Sequence, residues 1–223
     1  MKSMIHWFLL FILGIVPLFS YAQTSSTWPP AVQQGQPQEN EIYFNEYPYS
    51  IGDDGLFTFR YRKVRLVQFG THYLYHDPNM QGFIFWLDAA PCTSFNFSAQ
   101  YTDITRRFYG GYDHYRFYDL FVDYYQIRTP QLVLSWGAGM KGESTGSFKA
   151  GAGIHLTIDY YFKKPFSANV RANAGKIGDN WLTQFFFRFN WHYQGNAFFV
   201  GYNYFSRGTT NLDGVILGVS VYF

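Results

Sequence analysis

Three features of this 223-residue chain predict an all-β fold, a transmembrane up-and-down antiparallel β-barrel of about ten strands. The first is strict period-two alternation of apolar residues, repeated in at least five segments, as expected of strands with one face in an apolar medium. The second is composition. Aromatic residues make up 23% of the chain and charged residues only 14%, against about 25% charged in a soluble domain. Yet the mean hydropathy is slightly negative. That combination suits a wall in which lipid-facing apolar residues alternate with polar inward ones. The third is the spacing of connections, which alternate along the chain between short Pro- or Gly-bearing turns and longer polar loops.

Taken in order, residues 1–22 read as a secretory signal peptide. Lys2 supplies the positive start, residues 7–19 form an apolar core of about a dozen residues, too short for a spanning helix, and Ser20, Tyr21 and Ala22 precede the expected cut. Residues 23–54 are expected to form a periplasmic linker or arm. Its first part is rich in Gln, Pro and Ser without a period. The stretch around Ile42, Tyr43 and Phe44 is more apolar and could tuck against the barrel. Residues 55–223 are expected to be the barrel. No later stretch approaches the ~18 apolar residues of a membrane helix. Cys92 is the only cysteine, so neither an internal disulfide nor a cysteine-based metal site can form. The net charge of +2 is too small to point to nucleic acid or to anionic lipid.

The strands are expected to centre on residues 55–74, 82–88, 94–103, 117–128, 131–141, 148–162, 166–176, 182–193, 197–206 and 213–223. The first is the least regular, because Arg60, Arg62, Lys63 and Arg65 fall on mixed parity. If the first two strands are not in the wall, the barrel has eight. The clearest alternation sets Phe185, Phe187, Phe189 and Trp191 against Gln184, Arg188, Asn190 and His192. Short turns are expected near residues 88–93, 128–131, 163–165 and 194–196. Longer loops are expected near 76–80, 106–116, 141–146, 178–180 and 206–211. With the last strand running down into the periplasm, all four short turns fall on the inner side.

The last strand alternates Val215, Leu217, Val219, Val221 and Phe223 against Gly214, Ile216, Gly218, Ser220 and Tyr222. This aromatic-terminated pattern resembles the closing strand of small bacterial outer-membrane β-barrel proteins, and the resemblance covers about residues 55–223. It implies a location in the outer membrane after cleavage near Ala22, contact with outer-membrane lipids, and recognition by the barrel-assembly machinery through Val219, Val221 and Phe223.

The inward face collects Asp119, Asp123, Lys149, His155, Asp159, Arg171, Arg188 and His192. Ionised groups in a narrow, low-dielectric lumen must be paired, so these residues are expected to form an interlocking polar network. A polar channel or binding cavity is the other reading of the same residues. His155 and Asp159 lie about 13 Å apart along one strand and cannot bond to each other within it. The segment 106–116 offers Arg106, Arg107, Tyr109, Tyr112, His114 and Tyr115 as a surface contact loop, since Tyr and Gly with Arg make an adaptable surface. The tail around Ser206 resembles outer-membrane lipid A deacylases, whose chemistry rests on a His-x-Ser pair. Here Tyr204 stands at the position of the base, and a phenol titrating near pH 10 is a poor base at neutral pH. Asp213 matches the acidic partner only loosely. No metal site and no cofactor is expected. The leading expectation is a non-enzymatic envelope barrel with a structural or surface-interaction role. A narrow channel or small-ligand barrel comes next, and a lipid A acyl-chain hydrolase third. The surface partner is not legible in the sequence.

Overall fold

The computed structural model describes residues 41–60, 62–144, 147–208 and 210–223. The expected signal peptide and residues 23–40 of the expected arm lie outside the described residues. Two short strands, β1 (Tyr43–Phe44) and β2 (Phe57–Thr58), pair with each other. They are followed by β3 (Leu66–Asp77), β4 (Met80–Cys92), β5 (Phe95–Phe108), β6 (Gly111–Arg128), β7 (Leu132–Ser144), β8 (Phe148–Tyr161), β9 (Phe166–Ile177), β10 (Asn180–Tyr193), β11 (Asn196–Arg207), β12 (Thr210–Asn211) and β13 (Gly214–Tyr222). From β3 to β11 each strand pairs antiparallel with the next, β11 pairs with β13, and β13 pairs back onto β3. The result is a closed up-and-down barrel of ten strands, β3–β11 and β13. Closure matters because an open edge would leave a row of backbone groups unpaired. At the seam, Phe223 and Val67 exchange two backbone hydrogen bonds of 2.8 and 3.2 Å.

Alternation carries round the wall. In β10, Leu182, Gln184, Phe186, Arg188, Asn190 and His192 are buried, while Phe185, Phe187, Phe189, Trp191 and Tyr193 are exposed. The two barrel ends differ. One, here the terminal end, holds the starts of the wall, Phe223 and the turns after β4, β6, β8 and β10. The other, the far end, holds the turns after β3, β5, β7 and β9 and the β11–β13 connection. Each short turn expected on one side therefore lies at one end. Gly110 at φ 99° and Gly178 at φ 57° occupy tight far-end turns, a backbone region that side-chain-bearing residues rarely adopt.

Two expectations about the chain are corrected. The first wall strand begins at Leu66, not at residue 55. Residues 55–65 carry four cations at mixed parity, which neither face of a wall strand accommodates, and β2 pairs with β1 instead of joining the wall. The segment 106–116 is not a long loop. It is the tip of the β5–β6 hairpin, with a turn of only Tyr109 and Gly110. More generally, strands run several residues past the end of their apolar alternation, because the hydrogen-bonded ladder continues where the side chains turn polar.

The described part of the expected arm, with residues 55–57, fills the terminal mouth of the barrel. Phe44, Tyr49, Leu56 and Phe57 are buried against Leu66, Ala90, Tyr125, Val133 and Tyr161 from the wall. The rings of Phe44, Phe57 and Tyr125 form one stack-and-edge cluster with centroids 4.8 to 6.2 Å apart. Polar contacts fix the plug in place. The Gly55 amide donates to the Pro130 carbonyl at 2.7 Å, the Asn45 side-chain amide donates to the Gly55 carbonyl at 2.6 Å, and the Tyr49 hydroxyl donates to the Phe166 carbonyl. Gly55 is required where it stands, since a Cβ there would lie 2.2 Å from the Tyr161 ring.

Two outcomes follow. Phe44→Ala is expected to weaken plug docking by about 3 kcal/mol, or about a hundredfold in the undocked population. Hydrogen exchange at the bonded amides of Asn45, Tyr49 and Gly55 should speed by about that factor while exchange in the wall is unchanged. The second concerns pH. Burial chiefly, and then the nearby Asp53 carboxylate, raise the Tyr49 phenol above its ordinary 10.0. A group whose folded value is raised contributes its full stability below the unfolded value and loses it as pH climbs. Plug docking should therefore be constant at neutral pH and weaken above pH 10, and Tyr49→Phe should show less of that alkaline loss by the same exchange measurement.

Candidate functional site

The candidate site is the lumen, which is layered. At the far end, Leu74, Ile104, Phe117, Leu182, Phe205 and Leu212 belong to one apolar cluster. Leu212, fully buried, is turned into the mouth by the β11–β13 connection, where its amide donates to the Phe205 carbonyl at 2.7 Å. At the terminal end lies the plug. Between them is a belt of polar and charged side chains with few partners outside itself.

The belt is joined across the barrel as well as along the wall. Arg171 on β9 donates from Nη2 to Asp88 Oδ2 on β4 at 2.8 Å. These strands are five apart in the ring of ten, so the pair spans the lumen from wall to opposite wall. Gln100 on β5 and Gln184 on β10 make a second such crossing at 3.0 Å. Phe117 on β6 and Phe205 on β11 make a third, with ring centroids 4.4 Å apart. Trp86 lies in the belt with the guanidinium carbons of Arg171 and Arg188 at 5.4 and 5.0 Å from its ring, within cation–π range.

Further pairs complete the belt. His155 Nδ1 lies 2.8 Å from Asp123 Oδ1, although β8 and β6 are separated by β7. The intervening Gly137 makes the contact possible, because a Cβ there would lie 2.3 Å from that carboxylate oxygen. Arg188 donates from Nε and Nη2 to Asn169 Oδ1 at 2.9 and 2.6 Å, and Asn169 Nδ2 donates to Asp159 at 2.7 Å. Asn169 thus links a cation to a carboxylate. His192 Nε2 lies 2.8 Å from Ser167 Oγ, with the Tyr49 ring of the plug 5.3 Å from the imidazole. Ser167 also accepts from Asn190 Nδ2 at 3.0 Å.

The belt therefore holds Asp123, His155, Asp159, Arg171 and Arg188, with the Asn96 amide bridging Asp123 to Asp88, while His192 forms its own cluster with Ser167 and Asn190. Lys149 is a correction. It has inward parity but sits exposed near the far end of β8, above the packed lumen. The buried lysine is Lys141, which lies fully inside and donates from Nζ to Asp119 and Asn173, each at 2.7 Å. Glu143, two residues on, is buried and accepts a two-point contact from Arg207 at 2.6 and 2.8 Å. Sequence reasoning placed Lys141 and Glu143 in a loop and Asp88 in a turn. The signal that finds them is the odd inward series 133, 135, 137 and 139 continued to 141 and 143, and the even series 82, 84 and 86 continued to 88.

The space left in the belt is a cavity of about 50 Å³ lined by Asp88, Asn96, Asp123, Asp159, Arg171 and Arg188 among others. That is room for a few water-sized groups at about 10–15 Å³ each, far below the ~300 Å³ of a small-molecule pocket.

On the outer surface, Tyr109 and Tyr112 are exposed at the β5–β6 tip beside Arg106 and Arg107, and the Arg107 guanidinium lies 5.8 Å from the Tyr112 ring. His114 Nδ1 contacts Thr105 Oγ1 at 3.2 Å. Tyr115 parts from this group, since its ring packs against the far-end apolar cluster. Val219 and Val221 register opposite Thr71 and Phe69 on the seam, and Phe223 is exposed beyond them. Ser206 lies opposite Thr183 and Asn211. Asp213 accepts from the Tyr202 hydroxyl.

No protein-family model and no curated protein sequence matches this chain. Among solved structures it is similar to the N-terminal β-barrel domain of Pseudomonas aeruginosa OprF, at 14% identity and a TM-score of 0.38, covering 71% of this chain and 97% of that one.

The cross-lumen pair gives a direct expectation. Asp88→Ala leaves the Arg171 guanidinium buried without its carboxylate and should cost about 3–5 kcal/mol, whereas replacing both partners by apolar residues of similar volume should recover most of that loss. Urea unfolding in detergent micelles, followed by tryptophan fluorescence, measures both.

Proposed function

We propose that this chain is an integral outer-membrane β-barrel with a structural or surface-interaction role rather than an enzymatic one. The observation that carries the reading is the pairing of an apolar outside with a closed, cross-linked inside. Outward positions round the wall are filled by residues such as Phe83, Phe85, Phe97, Trp136, Ile154, Phe187 and Leu217, all substantially exposed. Among the described wall residues, charges join the outward face toward the far rim, as at Asp103, Arg107, Arg116 and Lys176. So large an exposed apolar surface on a closed barrel fits a lipid surrounding. Trp181, Trp191, Tyr160 and Tyr193 lie near the rims, in keeping with interfacial girdles.

A transport role has less support. Opposite walls touch at three levels, and both mouths are filled by apolar clusters. The far-end hairpin supports the surface-interaction part of the reading. Its ladder with β4 ends at Arg106, with one further bond from the Arg107 amide to the Asn79 carbonyl, and its ladder with β7 ends at Arg116, so the tip at residues 108–115 extends past these ladders with two exposed tyrosines. In this reading the terminal end faces the periplasm, and Val219, Val221 and Phe223 form the strand end offered to the barrel-assembly machinery.

Reconstitution tests the proposal. Trp136, Trp181 and Trp191 should be quenched by lipids carrying a doxyl group on the acyl chain, and planar bilayers holding the protein should show no stepwise conductance. A monomer that stays soluble without detergent would overturn the membrane reading, and a steady ion current would overturn the closed-barrel role.

A further inference from the structure

Just before the first wall strand lies a segment that the barrel itself does not use. Its described residues, 59–60 and 62–65, place Arg60, Arg62, Lys63 and Arg65 together with two exposed apolar side chains, Phe59 at 56% and Val64 at 48% exposure. Among the described residues none of these four cations takes part in an ion pair, and the segment holds no carboxylate. Its position is fixed. Lys63 exchanges two backbone hydrogen bonds with Phe44 of the plug, at 2.9 and 3.1 Å. Immediately afterwards the chain enters β3, where Val67 and Phe69 join the outward apolar face and Phe223 pairs at the seam. The segment is thus a strap tied to the terminal rim and continuous in the chain with the apolar band.

Cations interleaved with exposed apolar side chains at the edge of such a band match one chemistry. The apolar groups sit at the acyl boundary and the cations reach anionic headgroup phosphates. A soluble acidic partner would use the charges but leave Phe59 and Val64 exposed. We propose that Arg60, Arg62, Lys63 and Arg65, with Phe59 and Val64, bind the anionic phospholipid headgroups of the leaflet at the terminal rim and set the depth of the barrel there. This rests on the membrane reading above.

The test uses the full chain with exposed Cys92 replaced by Ser, carrying a bimane label at Phe59→Cys or, as a control on the apolar band, at Leu217→Cys. Each is placed in nanodiscs of phosphatidylcholine with or without phosphatidylglycerol, with doxyl lipid as quencher. The Leu217 label should be quenched in both membranes. The Phe59 label should be quenched strongly only where phosphatidylglycerol is present. That quenching should be lost with Arg60→Gln, Arg62→Gln and Arg65→Gln combined, and in about 1 M salt, where screening shortens to about 3 Å. Quenching at Leu217 without any at Phe59 overturns the strap and leaves the membrane reading standing. Quenching at Phe59 that ignores lipid charge or survives the triple substitution overturns headgroup recognition. Failure at both positions overturns both.

Discussion

The contact between Arg171 and Asp88 is the constraint from which the interior follows. A guanidinium and a carboxylate meet at 2.8 Å although they come from opposite sides of a ring of ten strands. That is possible only if the lumen is no wider than two side chains laid end to end, and small barrels are indeed filled this way. In so narrow and enclosed a space a charge without a partner is costly. Each ionised side chain must therefore reach a partner, and the partner is often not on the next strand. Gly137 lets Asp123 reach His155 across a whole strand, and Gly153 and Gly175 leave room for the stem of Lys141.

The same constraint separates the lumen into layers. Charges gather at mid-height, where carboxylates, amides and cations can satisfy each other, and apolar clusters close the two ends. The far end is closed by the wall and its own connection through Leu212. The terminal end is closed by a segment that precedes the wall, through Phe44, Tyr49 and Phe57. The plug is therefore part of the interior rather than a tether, and its contact with His192 through Tyr49 joins it to the polar belt.

Much of this was legible in the residues. Period-two alternation gives the wall and its two faces, and the parity of the turns gives a common end for the chain's last strand and the short connections. The boundaries were less legible. Apolar alternation stops short of the strand ends, but the backbone ladder does not, so Lys141 and Glu143 looked like loop residues and the tip at 106–116 looked like a loop. Lys149 illustrates the reverse error, since parity states which way a side chain points but not at what height along the barrel it sits. Residues 55–65 looked like a poor strand because they are not a wall strand.

What the sequence determined by itself is local: which residues face out, which face in, and how many times the chain turns back. These follow from the fixed two-residue repeat of a strand, which needs no knowledge of neighbours. Which inward residues touch was decided only by the tertiary structure. Pairing across a lumen depends on ring size, on the stagger of strands far apart in the chain and on where a missing side chain leaves room, and none of these is written in any one strand. Asp88 with Arg171, Asp123 with His155 and Tyr49 against His192 are contacts of that kind.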